Sequence, residues 1–417
     1  MWGRPNLHTS YESEAAIFPT WTQKIGAMLA IAAFALLPFH LPIINQIPII
    51  RFLGDSDWIR LTTQAVIFAI AALGLNILTG VAGQVSLGHS FFMGSGAYAA
   101  AYLGGEAGTT TWGHSLPMWI WLPGAGITAA LLGIIIAPIA VRVRGLYLGI
   151  VTVGLVFIGI HLSRLFPEIA GPAEVGRDFP ELELRLWKEE EPFISFAEDG
   201  QWLWFEIGKQ AKTYLFCLVL LGFFILVAKN MHRSRTGRAL QAIRDRDVAA
   251  EVMGVPEFRY KMMAFAISSF FAGVSGALFA SFVGRLPPES WDLILAVEFV
   301  AILLVGGAGT IAGTLLGTFF VVTLPRFMEE FTKWMTEQAN GTGIWASFWD
   351  VFVSTGPDDF GFVSTSQVAP GFPVPVAALD TILYGALVII FLLFEPLGLY
   401  GIWIKIRNYW KGWPFTY

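Results

Sequence analysis

The side chains in this chain that have any chemistry to offer lie inside or beside apolar segments. Asn76, Gln84, Ser86, His89 and Ser90 crowd into one stretch, and Glu298, Asp380 and Glu395 stand alone much later. Polar groups in such places are costly in lipid and usually face the protein interior or water. His89 has two readings: contact with a carboxylate and a switch of charge with pH, or a ring satisfied by helix packing. Glu298 sits about one turn into its segment. A carboxylate at a helix centre costs roughly 2.5–3.5 kcal/mol on insertion scales, so it has to be paired, water-exposed or functional. No two carboxylates are spaced for acid–base work, and no Ser-His-Asp or Cys-His set occurs. The single cysteine, Cys217, lies in an apolar run, which excludes a disulfide and a cysteine-rich metal site. No residue is assigned a catalytic, cofactor or metal role. Asn76, Gln84, Ser86, His89, Ser90 and Glu298, with the glycines Gly83, Gly306 and Gly307, are a candidate translocation path.

The elements that must position these residues follow from composition. Of 417 residues 55% are apolar and only 14% charged, with mean hydropathy +0.63. Soluble domains carry about a quarter charged residues, so this chain has too little polar surface for a water-facing globule. It reads as an all-α polytopic membrane protein. About ten apolar segments approach the ~20 residues that a spanning helix needs. They run over 26–50, 61–79, 86–103, 119–141, 145–162, 214–227, 262–283, 294–305, 310–324 and 376–397. The third, eighth and ninth are short or glycine-rich, and broken or re-entrant helices are open to them where the loose backbone is buried or lines water. Residues 1–23 are polar and show no secretory h-region, so insertion falls to the first span.

Loop charges set the expected orientation. Residues 229–261 hold eight Lys and Arg against four acids, and the tail 401–417 holds Lys405, Arg407 and Lys411 with no acid. The loop 164–212 has six basic and eleven acidic residues, and 326–375 has two and six. Positive loops mark the cytoplasmic side. The expectation is an N-terminal segment 1–23, a membrane domain 24–400 and a tail 401–417, with both termini cytoplasmic. Loops 164–212 and 326–375 are then outside. Trp119, Trp121, Trp202, Trp204 and Trp291, near span ends, read as an interfacial belt.

The basic loop is more than a tether. Helix formers fill 238–244, Asp247 is placed as the N-cap of a second short helix, and Gly254 stands where a helix C-cap would. Pro256 follows, where helices commonly stop. A helix of about seven residues is marginal alone. Its small apolar face (Val248, Ala249, Val252) needs a surface, either this protein's own membrane end or a cytoplasmic partner. A further echo links Gly80-Val81-Ala82-Gly83-Gln84-Val85 with Gly306-Gly307-Ala308-Gly309-Thr310-Ile311, each joining two apolar segments.

Three blocks in order carry a family resemblance. Residues 75–89 (LNILTGVAGQVSLGH), 237–255 (GRALQAIRDRDVAAEVMGV) and 298–313, with VGGAGTIAG at its end, resemble branched-chain amino acid ABC transporter permeases, a family that includes importers of urea and short amides. The resemblance covers roughly residues 61–325. It implies one of two related permeases forming a heterodimer in a bacterial or archaeal inner membrane, with two ATP-binding subunits and an extracytoplasmic solute-binding protein. No nucleic-acid partner is implied. A phosphate loop G-x-x-x-x-G-K-[ST] is absent, in agreement with ATP hydrolysis by other subunits. By resemblance, Gly237, Arg238, Arg244, Asp247, Ala250, Glu251 and Gly254 form the surface that couples to the ATPase. The outer loops depart from the family pattern: 169–176 reads IAGPAEVG where relatives carry a Thr-Gly-Gly-Ser-type turn, which weakens any transfer of substrate identity. The alternatives are a urea or amide importer permease and a stand-alone secondary transporter.

Overall fold

Leucine, isoleucine, valine, alanine and phenylalanine fill the apolar runs. In a bilayer such backbone satisfies its polar groups by coiling into helices. A computed structural model describes residues 21–38, 56–339 apart from 109–110, 144, 173, 187–191, 193, 197 and 203–204, short pieces between 353 and 395, and 397–412. The helices are α1 (Trp21–Leu36), α2 (Ser56–Leu75), α3 (His89–Gly104), α4 (Met118–Arg142), α5 (Leu146–Leu165) and the short α6 (Pro167–Ala170). There follow α7 (Lys209–Arg233), α8 (Arg235–Val252), α9 (Glu257–Val283), α10 (Leu293–Gly306), α11 (Ile311–Ala339) and α12 (Gly398–Gly412). A π-helix, Asn76–Val81, continues α2, and a 3-10 turn, Pro288–Trp291, precedes α10.

Six helical stretches among the described residues are long and apolar enough to cross a membrane: 57–81, 118–139, 147–165, 209–233, 257–283 and 311–331. The sequence reading has ten. The difference lies in four segments. At 16 and 14 residues, α3 and α10 fall short of a full crossing. The first segment, 26–50, is described as helix only over 26–36, the end of the 16-residue α1, and the segment at 376–397 lies almost wholly outside the described residues. The ninth segment has the opposite outcome. As α11 it runs on through polar residues to Ala339, so the loop placed from 326 begins as helix.

Helix α9 is the centre of the bundle and packs on α2, α3 and α4, while α2 also meets α7 and α11. Small residues let these backbones close up. A Cβ on Gly96 of α3 would lie 2.3 Å from the Gly273 Cα of α9. Around this contact the Phe68 ring sits 5.0 Å from Phe279 and 5.2 Å from Phe299, centroid to centroid. Lipid is as apolar as these side chains, so close packing and not the hydrophobic effect stabilises the core.

The acidic loop 164–212 folds into a cap. Strand β1 (Arg177–Asp178) pairs antiparallel with Arg285–Leu286, and two further hairpins pair 183–184 with 194–195 and 200–202 with 205–207. Phe179, Leu182 and Phe196 are buried beneath it. Arg177, only 4% exposed, holds the cap down: it donates to the carbonyls of Ile169 (2.6 Å), Ala101 (3.0 Å) and Trp112 (3.0 Å). The tryptophan belt is only partly present. Trp119 is exposed, but Trp121 is buried against Gly104 and Trp291 is buried beside Phe279. The side chains of Trp202 and Trp204 lie outside the described residues.

Candidate coupling site and membrane path

The basic loop forms two helices that meet at one residue. Ser234 caps the first, its Oγ accepting from the Gly237 N–H at 3.3 Å, and Arg238 Nη1 donates to the Arg233 carbonyl at 2.9 Å. Gly237 is buried where the chain doubles back: a Cβ there would lie 2.4 Å from the carbonyl oxygens of Met231 and His232. The break is at Arg246, whose backbone is extended (φ −156°, ψ 98°). Asp247 is therefore the first residue of the second helix and not its N-cap. Its carboxylate still accepts from the neighbouring Val248 N–H at 2.8 Å. The far end closes as the glycine predicts. Gly254 has φ +84°, its N–H donates to Glu251 O (2.9 Å), and Val255 N–H donates to Ala250 O (3.0 Å), a Schellman closure.

The first helix is anchored and the second presents its apolar face. Leu240 and Ile243 are buried, and Leu240 packs with Leu78, Val81, Ala82, Leu148 and Phe265. Ala250 is buried, whereas Glu251 and Ala249 are exposed. Val248, Val252 and Met253 are 64%, 82% and 84% exposed. The surface these side chains need is not supplied by this chain's described residues.

Between that loop and the membrane lies a junction of three segments. Arg244 Nη1 donates to the Gly80 carbonyl, and Asn76 Oδ1 accepts from the Gly309 N–H at 2.7 Å. Gly80 lies flat against the same turn: a Cβ on it would stand 2.4 Å from Gly309 N and 2.2 Å from Asn76 Oδ1. The two glycine-rich signatures thus touch each other, and the basic loop touches both.

From this junction the chain runs through residues 82–88 without regular structure. Leu87 N–H donates to Thr152 Oγ1 (2.9 Å) and Gln84 N–H to Leu78 O (3.0 Å). Non-helical backbone at membrane depth is tolerated when buried in protein. Gly83 enables the turn with φ +70° and lies against the Arg244 side chain. Gln84 is buried, with no hydrogen-bond partner for its amide among the described residues. It lines a cavity of about 210 Å3 together with Arg244, Asp245, Arg246, Asp247 and Lys261, at the break between the two helices of α8.

Of the other path residues, His89 Nε2 donates to the Ala71 carbonyl (2.8 Å), with its ring edge-on to Phe299 at 5.4 Å. Ser86 is buried and Ser90 is buried with no partner among the described residues. Glu298 stands on α10 beside Phe299, half-buried, with no hydrogen bond or ion pair among the described residues. Gly306 ends α10 and Gly307 caps it; Gly307 has φ +107° and lies against the Leu397 carbonyl. Asp380 lies outside the described residues, and Glu395 pairs with Lys405. Sequence reasoning missed Ser234, Thr152 and Arg177. A serine directly before a helix-forming run is a readable cap signal, whereas the other two act through long-range contacts.

A helical bundle with six stretches long and apolar enough to cross a membrane, broken helices and buried polar residues defines a multi-pass membrane protein. The chain belongs to the permease family of branched-chain amino acid ABC transporters. The model of that family, described as the branched-chain amino acid transport system permease component, matches residues 58–392. The chain is similar to the high-affinity branched-chain amino acid transport system permease protein LivM of Escherichia coli K12, at 30% identity over 72% of this chain and 70% of that protein. It is also similar to the probable branched-chain amino acid transport permease protein LivH of Methanocaldococcus jannaschii (28% identity, 32% of this chain, 39% of that one). A shorter match reaches the ribose import permease RbsC of Bacillus subtilis (31%, 24% and 33%). No solved structure matches the chain.

Proposed function

We propose that this chain is one permease of an ATP-driven importer of branched-chain amino acids. It pairs with a second, homologous permease, and receives solute from an extracytoplasmic binding protein. Two ATP-binding subunits drive it from the cytoplasm, where the basic loop and both termini lie, in a bacterial or archaeal inner membrane. The second helix of α8 is the docking surface, with Val248, Val252 and Met253 as its contacts. The observation that carries this reading is the junction of Arg244 with Gly80 and of Asn76 with Gly309. Through it, a displacement of α8 reaches both irregular segments of the bundle without passing through a flexible linker. The test is uptake of labelled leucine into proteoliposomes holding this chain with and without its partner subunits. ATP-dependent uptake that requires the ATP-binding subunits is expected; robust uptake by the chain alone sinks the proposal.

A further inference from the structure

At the end of the bundle opposite the basic loop, a cavity of about 320 Å3 lies between α3, α5 and the 3-10 turn. Phe91, Leu132, Val156 and Ile160 are among its walls. Four polar side chains enter this apolar lining, Ser95, Tyr98, Ser163 and Trp291, of which Tyr98 and Trp291 are 9% and 4% exposed. Neither the Tyr98 hydroxyl nor the Trp291 indole N–H completes a hydrogen bond of good geometry among the described residues, although the two groups and the Ser163 hydroxyl lie close enough to interact with one another. Buried donors are nearly always paired, because an unmet one keeps its full desolvation cost. Both groups have an O–H or N–H to donate, and an indole can only donate. An oxygen acceptor placed between them would satisfy both.

A second space adjoins the first. The Tyr98 ring lies 6.1 Å from Phe179, and Phe179 lines a polar cavity of about 710 Å3 under the folded acidic loop. That vestibule is walled by Glu106, Asp178, Glu181 and Glu183 as well as Arg177, Arg185 and Arg285, with Asp178 paired to Arg285 and Glu183 to Arg185. A molecule seated across the Tyr98 wall would meet charged groups on one side, Glu106 and Glu181 among them, and hydrocarbon on the other, with two donors between.

We propose that the cavity at Tyr98 and Trp291 is a binding site for a small branched aliphatic carboxylate. The carboxylate accepts from the Tyr98 O–H and the Trp291 N–H, and the branched end lies against Phe91, Val156 and Ile160. Reading the ligand as a whole amino acid rests on the importer function proposed above. In that case its ammonium points to the vestibule. A lipid acyl chain would fill the same walls but would bring no acceptor to either donor.

Diazirine-bearing leucine, photolysed in membranes holding the complete transporter, tests this directly. Labelled peptides containing residues 91–98 and 156–163 are expected, with labelling displaced by leucine and by 4-methylpentanoate but not by 3-methylbutylamine. Tyr98→Phe keeps ring and shape, and Trp291→Phe keeps an aromatic ring but removes the indole N–H along with the fused ring; each is expected to weaken the labelling roughly tenfold, the effect of losing one hydrogen bond to a charged group. Labelling unchanged by both variants, or displaced equally by the amine, overturns the site. So does a diazirine phospholipid that labels the same peptides and is not displaced by excess leucine. ATP-dependent uptake measured in the same vesicles judges the importer reading separately: its absence removes that reading, while the labelling still decides the cavity.

Discussion

Arg244 ties the basic loop to the membrane with one guanidinium on one carbonyl. A charged hydrogen bond of this kind contributes about 1.5–3 kcal/mol, enough to transmit a movement yet light enough to lose without unfolding. Arg244→Ala is therefore expected to leave the ATP-binding subunits bound and hydrolysing while leucine uptake per ATP falls roughly tenfold. Equal loss of hydrolysis and uptake would show that Arg244 serves docking instead. Gly80→Ala probes the same point from the membrane side. Its Cβ would meet two atoms at 2.2 and 2.4 Å, both in the junction itself. Overpacking of this kind costs about 1–3 kcal/mol, so a lower melting temperature in detergent is expected, against little change for Gly222→Ala, where a Cβ meets nothing within 4 Å. Each member of this junction is visible in the sequence as a motif residue. Their meeting is not, because Arg244 and Gly80 are 164 positions apart and Asn76 and Gly309 are 233 apart. Periodicity and capping rules act over a few residues; which distant turns touch is decided by the packing of α2, α9 and α10 around them.

At the scale of elements, local chemistry was the readable part. Gly254 closes the second helix of α8 as read, and the kink falls at Arg246, one residue before the expected cap. That helix stands on its caps more than on its packing, since only Ala250 of its residues is buried. Gly254→Ala places a Cβ in open space but in a left-handed conformation, which costs about 1–2 kcal/mol. Amide hydrogen exchange across 248–255 is expected to speed up while α9 stays unchanged; slowing or no change would exclude the cap role. Val252→Asp and Met253→Asp act on exposed side chains, where stability shifts stay within about 0.5 kcal/mol. Both variants should fold and insert yet fail to co-purify ATP-binding subunits. The cap at the other end carries a pH signature. Arg285 donates twice to the Asp178 carboxylate and holds its pKa below the ordinary value. A depressed folded pKa means that the pair stabilises above the unfolded value of about 3.9 and is lost as pH falls through the folded one. The melting temperature of Asp178→Asn should lie slightly below that of the natural protein at pH 6, and the gap should close below pH 4. A gap that widens there would refute the pairing. This strap joins residues 107 positions apart, and the charge census that named the loop acidic gave no sign that it folds.

Composition settled the class of the whole molecule, but segment counting overshot because it cannot tell a crossing from a half-crossing. Two of the apolar segments, α3 and α10, stop short, and each is flanked by irregular backbone buried in the bundle. Half-crossings leave faces that neither lipid nor this chain covers, and α10 shows one. Ile294, Val297 and Leu304 are exposed along it, and Glu298 sits among them without a hydrogen bond or ion pair among the described residues. Facing lipid, that carboxylate would cost roughly 2.5–3.5 kcal/mol at mid-depth; in the proposed assembly the face therefore meets water or the second permease rather than acyl chains. Helix α7 is the contrast: Val219 is 72% exposed with no charged residue from 213 to 228, as a lipid-facing surface requires. The sole cysteine, Cys217, is fully buried, which makes a Cys217→Ala background practical for single-cysteine labelling. In the assembled transporter, Glu298→Cys is expected to react with a membrane-impermeant maleimide and to be protected in one of the ATP-bound and nucleotide-free states. Val219→Cys should stay unreactive in both. Equal, nucleotide-independent reactivity at the two sites would remove α10 from the path and return Glu298 to a structural role.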